Sequence, residues 1–356
     1  MSTLQAINLK HPSSASNNVV LDSSGNASFA GTVVPSSSFL RNRIINGGME
    51  IAQRATTATG AYTSVFVYAS VDRWAVYSAN SSTTQAQSTD APAGFRNSFR
   101  LQRPAGNTGT GVLLLGQAIE AVNCYDLSGQ RVTVSFWAKR GANYSGGNLA
   151  LSAVTGTTAD QGLGSSGSWA GRQTPINTSF AITTTWTRYT ATGTFGAGVL
   201  EASVEFNWAG SGTAGADDSV YITGVQLEVG TAATPFERRL YGQELALCQR
   251  YYQKSYEQNT VPGASTRLGL VMAFASSGGV NWGGGFNLRQ TMRAAPSISY
   301  WDGVGNASRV SYYAGAWNDN NNWLTLLNIS SDAVVTTASV QVTASVLIQY
   351  AASAEL

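Results

Sequence analysis

Across residues 131–139, Val132, Val134, Phe136 and Ala138 alternate with Thr133, Ser135 and Trp137. Successive side chains of a β-strand point to opposite faces, so this period of two predicts a strand with the first set turned to a core. Further strand signals fall at residues 112–115, 149–154, 186–195, 199–208 and 220–228, separated by Gly, Ser, Thr and Asn clusters. No window here keeps a helical period, and short strands with frequent turn signals are the pattern of an all-β sandwich. After residue 259 the signals return at 267–275, 280–288, 297–301, 309–317, 323–329 and 338–350. In the last run Val340, Val342, Ala344, Val346, Ile348 and Tyr350 face one way, which predicts a second, smaller β-sandwich.

The ends of these blocks divide the chain. Residues 1–38 are too polar and broken to bury a core. Within them Val19, Val20 and Leu21, then Ala27 to Val34, flank the turn at Asp22 to Asn26 and predict a hairpin. An isolated two-stranded hairpin is marginal in water, so it needs the rest of the chain or copies of itself. Residues 39–239 form the central sandwich, 240–258 a connector and 259–356 the C-terminal domain. In residues 240–254, Tyr241, Leu245, Cys248 and Tyr252 recur at spacings of four, three and four. That spacing predicts a helix of about four turns with an apolar stripe. The stripe suits either a connector packed on a neighbouring sheet or a short seam around an oligomer axis.

Composition narrows the function. Only 11% of residues are charged, against roughly a quarter in an ordinary soluble protein, so hydroxyls and amides keep the surface wet. A net charge of +2 gives no footprint for nucleic acid. Lys10, Lys139 and Lys254 are the only lysines beside a majority of arginine, a bias toward planar, bidentate contacts. His11 is the single histidine and lies in the Ser-rich leader, which argues against a Ser-His-Asp triad or a multi-histidine zinc site. Cys124 and Cys248 are too few and too far apart for a disulfide framework and are expected as buried free thiols. No signal-peptide pattern or membrane-length apolar run is present, so neither export by that route nor membrane insertion is expected.

Glycoside hydrolysis needs two carboxylates and no histidine. Glu201 and Glu205 share a strand face, but four residues of strand span roughly 13 Å, beyond the ~5–9.5 Å between catalytic carboxyls. No enzyme activity is expected of them. Asp217 and Asp218 sit in a Gly-rich turn where Asp is common. Nine Trp and 15 Tyr in so uncharged a chain are more informative, because flat rings beside amides and guanidinium groups suit sugar rings. Tyr312, Tyr313, Trp317 and Trp323 surround the polar run from Asn318 to Asn322, with Asn320 at its centre. These five, Tyr312, Tyr313, Trp317, Asn320 and Trp323, are the candidate glycan contacts. The simpler alternative is that Trp317 and Trp323 staple a hairpin across its turn.

Two resemblances add to this reading. The leader Leu9-Lys10-His11-Pro12-Ser13-Ser14-Ala15-Ser16-Asn17-Asn18, through Gly31-Thr32-Val33, resembles the N-terminal segment of phage tail fibres and related virion proteins. So do the block Gln226-Leu227-Glu228-Val229-Gly230 to Arg239 with its following helix, and the residues Ala351 to Leu356. The central stretch is similar to carbohydrate-binding jelly-roll modules. The match rests on Asn42-Arg43-Ile44-Ile45-Asn46-Gly47-Gly48-Met49-Glu50, Asp72-Arg73-Trp74, Trp186-Thr187-Arg188-Tyr189 and residues 220–228. That resemblance implies a jelly-roll body in which Glu50 helps hold a structural calcium. The closing strand here carries Thr223-Gly224 where that family supplies an Asp partner.

Together these imply an all-β chain: N-terminal hairpin segment, jelly-roll sandwich, connecting helix and C-terminal β tip. The implied function is a homotrimeric bacteriophage tail-fibre or spike protein, placed on the virion and made in the host cytoplasm. It would join other tail or head proteins through residues 1–38 and attach to host-surface polysaccharide, with no other cofactor. A purely structural virion part, such as a head decoration or connecting fibre, and a polysaccharide depolymerase are the alternatives.

Overall fold

The computed structural model describes residues 8–24, 27–29, 41–63, 65–163, 168–275, 284–322, 324–338 and 344–356. By its contacts the chain forms two units, Met1–Leu40 and Arg41–Leu356. In the first, β1 (Asn8–Leu9), β2 (Val19–Leu21) and β3 (Ala27–Phe29) form an antiparallel meander. The expected hairpin is thus joined by a third strand, Asn8–Leu9, too short to carry a periodic signal. Leu9, Val20 and Leu21 are all exposed.

The second unit opens with a jelly-roll β-sandwich. Its strands are β4 (Thr57–Ala61), β5 (Ala75–Ser78), β6 (Ser82–Ser88), β7 (Ser98–Arg103), β8 (Val112–Ile119) and β9 (Arg131–Arg140). They continue with β10 (Leu149–Gly156), β11 (Gln173–Phe180), β12 (Thr187–Thr194), β13 (Glu201–Ala209) and β14 (Asp218–Val229). One sheet runs β11-β10-β13-β8-β5 and the other β12-β9-β14-β7-β6-β4. The alternation of β9 places Val132, Val134, Phe136 and Ala138 in the core, where Phe136 meets Phe206 of the facing sheet at 4.8 Å between ring centroids. Burying such a side chain contributes about 1.5–3 kcal/mol, so this face fixes the register.

The residues behind the jelly-roll resemblance knit the sandwich. Asn46, in a left-handed conformation (φ 55°), donates from Nδ2 to the carbonyls of Ile51 and Asp72 and accepts the Ile51 N–H. The Trp74 indole donates to the Asn46 carbonyl. Gly47 presses on the bulge of β14, where a Cβ would lie 2.1 Å from the Val225 oxygen, so no side chain fits there.

Helix α1 covers Tyr241–Gln249, and Tyr252–Lys254 is already a strand, β15. The four-turn helix expected over 240–254 is therefore corrected: Tyr252 pairs with Ser353 in a sheet and does not extend a helical stripe. Cys248 packs with Ile45, Ile51 and Tyr251 of the same chain, so the apolar face of α1 is covered internally. Among the described residues no helix is long and apolar enough to cross a membrane. Cys124 and Cys248 are free and buried.

The second sandwich contains β16 (Val271–Ala275), β17 (Gly284–Asn287), β18 (Ser297–Trp301), β19 (Val310–Tyr313) and β20 (Trp317–Asn321). It is completed by β21 (Leu324–Ile329), β22 (Ala333–Ala338) and β23 (Ser345–Ser353). Strand β23 is the hub, pairing with β15, β16, β18 and β19, while β17-β22-β21 forms the other sheet. Val346, Ile348 and Tyr350 face the core with Val310, Val334 and Met292. Val340 and Val342 lie outside the described residues. Residues 309–317, expected as one strand, instead contain all of β19, turn at Ala314 to Ala316 and begin β20.

The sandwiches meet at a charged seam. Arg54 lies over the Tyr252 ring at 3.6 Å and Arg73 over Tyr251 at 3.5 Å, and both donate to Glu355. Glu120 accepts two bonds from Arg250 and one from Tyr251. The Lys254 ammonium donates to the carbonyls of Gln53, Gln258 and Thr260.

Candidate functional site

The aromatic hairpin presents one coherent surface. Gly315 takes a left-handed conformation (φ 77°) in the turn between β19 and β20, and Tyr313 pairs with Trp317 directly across it. Their rings meet edge to face at 5.4 Å and are 54% and 41% exposed, far from the burial that a core role would give them. The Arg267 guanidinium sits 4.6 Å over the Trp317 ring and donates to Asp319 Oδ2 at 2.7 Å. Sequence reading missed Arg267, because only tertiary folding brings it across from residue 317. Exposed Met272 lies in the same sheet but in a different row, opposite Leu347, which pairs in turn with Ser311.

The other named residues are arranged differently. Strand alternation puts half-buried Tyr312 on the opposite face from Tyr313. Asn320 is exposed, with φ 65°, and its Oδ1 accepts from Arg309 Nε at 3.1 Å. Its backbone N–H donates to the buried carboxylate of Asp302 at 2.7 Å. Trp323 lies outside the described residues. The run Asn318 to Asn321 was expected as a loop and is strand, so the surface is the face of a hairpin and not a loop ringed by four aromatics.

A second surface lies on the outer face of the six-stranded jelly-roll sheet. Register places Tyr221 between Arg100 and Lys139. Lys139 Nζ lies 4.9 Å from the Tyr221 ring and 5.7 Å from Trp186, and Arg100 lies 5.6 Å from Tyr221. Asp90 accepts from the Trp186 indole at 3.0 Å and from Lys139. Burial alone would raise the Asp217 carboxyl, but bonds from Ser219, Ala142 and Arg100 outweigh it and hold the group below its ordinary range. Beside this row Gly224 (φ 60°) leaves room for Phe95 and Trp137. Lys139, Trp186 and Tyr221 fall within strands expected from the sequence, whereas Arg100 lies in β7, which gave no strand signal. Their alignment across strands depends on register, which one sequence does not report.

Glu50 does not fit the structural calcium implied by the resemblance. Its charged neighbours are Arg96 and Arg238, and its hydrogen-bonding neighbour is the Asn97 amide at 3.3 Å. Among the described residues no group of three or more His, Cys, Asp or Glu could hold a metal ion. A hard divalent cation wants several oxygen donors, and two guanidinium groups repel it. Burial pushes the Glu50 carboxyl above its ordinary value, with Arg96 and Arg238 pulling the other way.

Glu201 and Glu205 are both buried on the outer side of β13. Glu201 Oε2 accepts the Gln161 N–H at 2.8 Å, and burial raises its carboxyl to about 8. Asp218, expected to serve the turn, instead opens β14 and forms a fully buried pair with Arg103 at 2.8 Å.

No family model matches the chain, and no curated protein matches it. Several solved structures do. One is the enzymatically active domain of tailspike protein 4 of bacteriophage CBA120, at 16% identity and a TM-score of 0.33, covering 53% of this chain and 21% of that one. A family 4 carbohydrate-binding module matches at 14% identity and a TM-score of 0.30, over 52% of this chain and 98% of its own. A xylan-binding domain from Paenibacillus barcinonensis matches at 11% identity and a TM-score of 0.30, over 51% of this chain and 99% of its own.

Proposed function

We propose that the chain is a non-enzymatic, homotrimeric structural protein of a bacteriophage tail fibre or spike that attaches to host-surface glycan. Residues 1–38 join or trimerise the particle component, 39–239 form the body, and 259–356 form the tip. The observation that carries this reading is the exposed Tyr313–Trp317 pair with Arg267 and Asp319 beside it. Exposed rings stack on the apolar C–H faces of a sugar, while the guanidinium donates to hydroxyls and the carboxylate accepts from them. On the body the partly exposed Trp186 ring beside Lys139 offers the same chemistry, while Tyr221 is buried between Arg100 and Lys139.

Replacing Tyr313 and Trp317 together by Ala should abolish adsorption to host cells while the oligomer, sized by light scattering, stays intact. Undiminished adsorption by an assembled double variant would remove the tip from the reading. One observation favours the purely structural alternative: Leu268 and Met272 are exposed at 62% and 55%, aliphatic surface better suited to a protein neighbour than to a sugar. Immunolabelling that finds the chain on the capsid, away from any host-facing tip, would select it.

A further inference from the structure

Two cavities adjoin at Glu50 and Tyr241, the first residue of α1. One, of about 280 Å³, opens among Thr56, Gln87, Gln258 and Thr260, and the other, of about 190 Å³, lies against Phe236, Arg238 and Glu244. The walls are held from behind. Lys254 ties the backbone at Gln258 and Thr260 to that at Gln53, and the Asn46 side chain fixes the segment that ends in Glu50 and Ile51. Gln87 Nε2 donates to the Met49 carbonyl at 2.7 Å. Binding there would order little of the chain, which favours affinity.

The charges select the ligand class. Lys254 is saturated by three carbonyls, and Arg54 is engaged by Asp72 and Glu355. Arg239 pairs with Glu244 at 3.2 Å. An anion would meet Glu50 and Glu244, and a cation would meet Arg238 and Arg239. What remains is amide, hydroxyl and carboxylate groups with the Arg238 guanidinium, beside the Tyr241 ring, itself 55% exposed. We propose that this trough binds a neutral saccharide, with one ring in each cavity, Tyr241 against the C–H faces and Glu50 accepting hydroxyl hydrogens. It goes beyond the tip reading, being made by the jelly roll, α1 and the segment after β15, and it is independent of Tyr313 and Trp317.

The test titrates the full chain with cellobiose, maltose and lactose by calorimetry and saturation-transfer NMR. The wild-type chain should bind at least one of them saturably. Tyr241→Ala and Glu50→Gln should each weaken binding about tenfold or more, the scale of a lost charged hydrogen bond or ring contact. Thr56→Trp should block it by filling the mouth of the larger cavity, and both Tyr241 and Thr56 are exposed enough for their variants to fold. In the Tyr313→Ala, Trp317→Ala background, which removes any contribution of the tip, saturable binding should remain, and adding Tyr241→Ala or Thr56→Trp should weaken it as in the parent chain. Absence of saturable binding to all three sugars, or binding unchanged in Tyr241→Ala and Thr56→Trp, would overturn the assignment. Loss of binding only in the tip double variant would overturn it too, while leaving the tip reading standing.

Discussion

Arg54 and Arg73 each use a guanidinium in two ways, laying its flat side on a tyrosine and directing its N–H groups at Glu355. A lysine cannot do both, so the arginine excess visible in the composition has a structural cause. The partners were not legible, because Arg54 and Glu355 are 301 positions apart. Buried acids carry the complementary lesson. Glu201 Oε1 finds no hydrogen-bond partner among the described residues, and burial raises the carboxyl from 4.5 to about 8. The folded chain therefore keeps this proton where the unfolded chain has lost it. The stability the group contributes is complete below about pH 4.5 and is lost as the pH rises toward 8. Glu201→Gln removes that loss. Its unfolding free energy relative to wild type should rise across this window and level off above it, as read from urea titrations at several pH values. A difference that does not change with pH would show that Glu201 ionises normally.

At the scale of elements, the sequence was clearest where one face is buried. Strand β9 was legible because Val132, Val134, Phe136 and Ala138 all enter the core. Strand β20 was not, since it lies at a sheet edge and three of its five residues are Asn, a poor strand former that solvent tolerates there. The helix was overextended because Tyr252 happens to keep the spacing of Tyr241, Leu245 and Cys248, while its backbone is claimed by β23. The candidate site was legible as a composition of rings and amides. Its geometry was not, because Arg267 reaches Trp317 only through the fold. Helix α1 also starts on a weak residue. Leu240 occupies the N-cap, 75% exposed, and a leucine side chain can accept no backbone hydrogen bond, although Gln243 Oε1 accepts the Leu240 N–H at 3.3 Å. Leu240→Ser should stabilise the chain by about 1 kcal/mol, seen as a higher urea midpoint with an unchanged slope. An unchanged midpoint would mean that the first-turn N–H groups of α1 are already satisfied.

For the whole molecule, the sparse charge seen at the outset acquires a location. Part of it is gathered into buried pairs such as Arg103–Asp218 and the seam around Glu355. The leader lacks such support: among the described residues, no apolar cluster includes a side chain before Ile44. If residues 1–38 trimerise the chain, as proposed, residues 1–356 should scatter light as a trimer whose mass responds little to salt, because few charges are available for an interface. Removing residues 1–38 should leave the body folded by circular dichroism and reduce it to a monomer. A truncated chain that still forms trimers would shift the contact to the body.

The Glu355 clasp also sets a schedule. Arg73 is made 282 residues before its carboxylate, and at about 5–20 residues per second of synthesis that interval is roughly 15–60 s. During it the jelly roll can gather its aliphatic core, but two of its arginines still await their partner. A ribosome that stops shortly before residue 355 would release a chain whose strands are nearly all present and whose central seam is still unlocked.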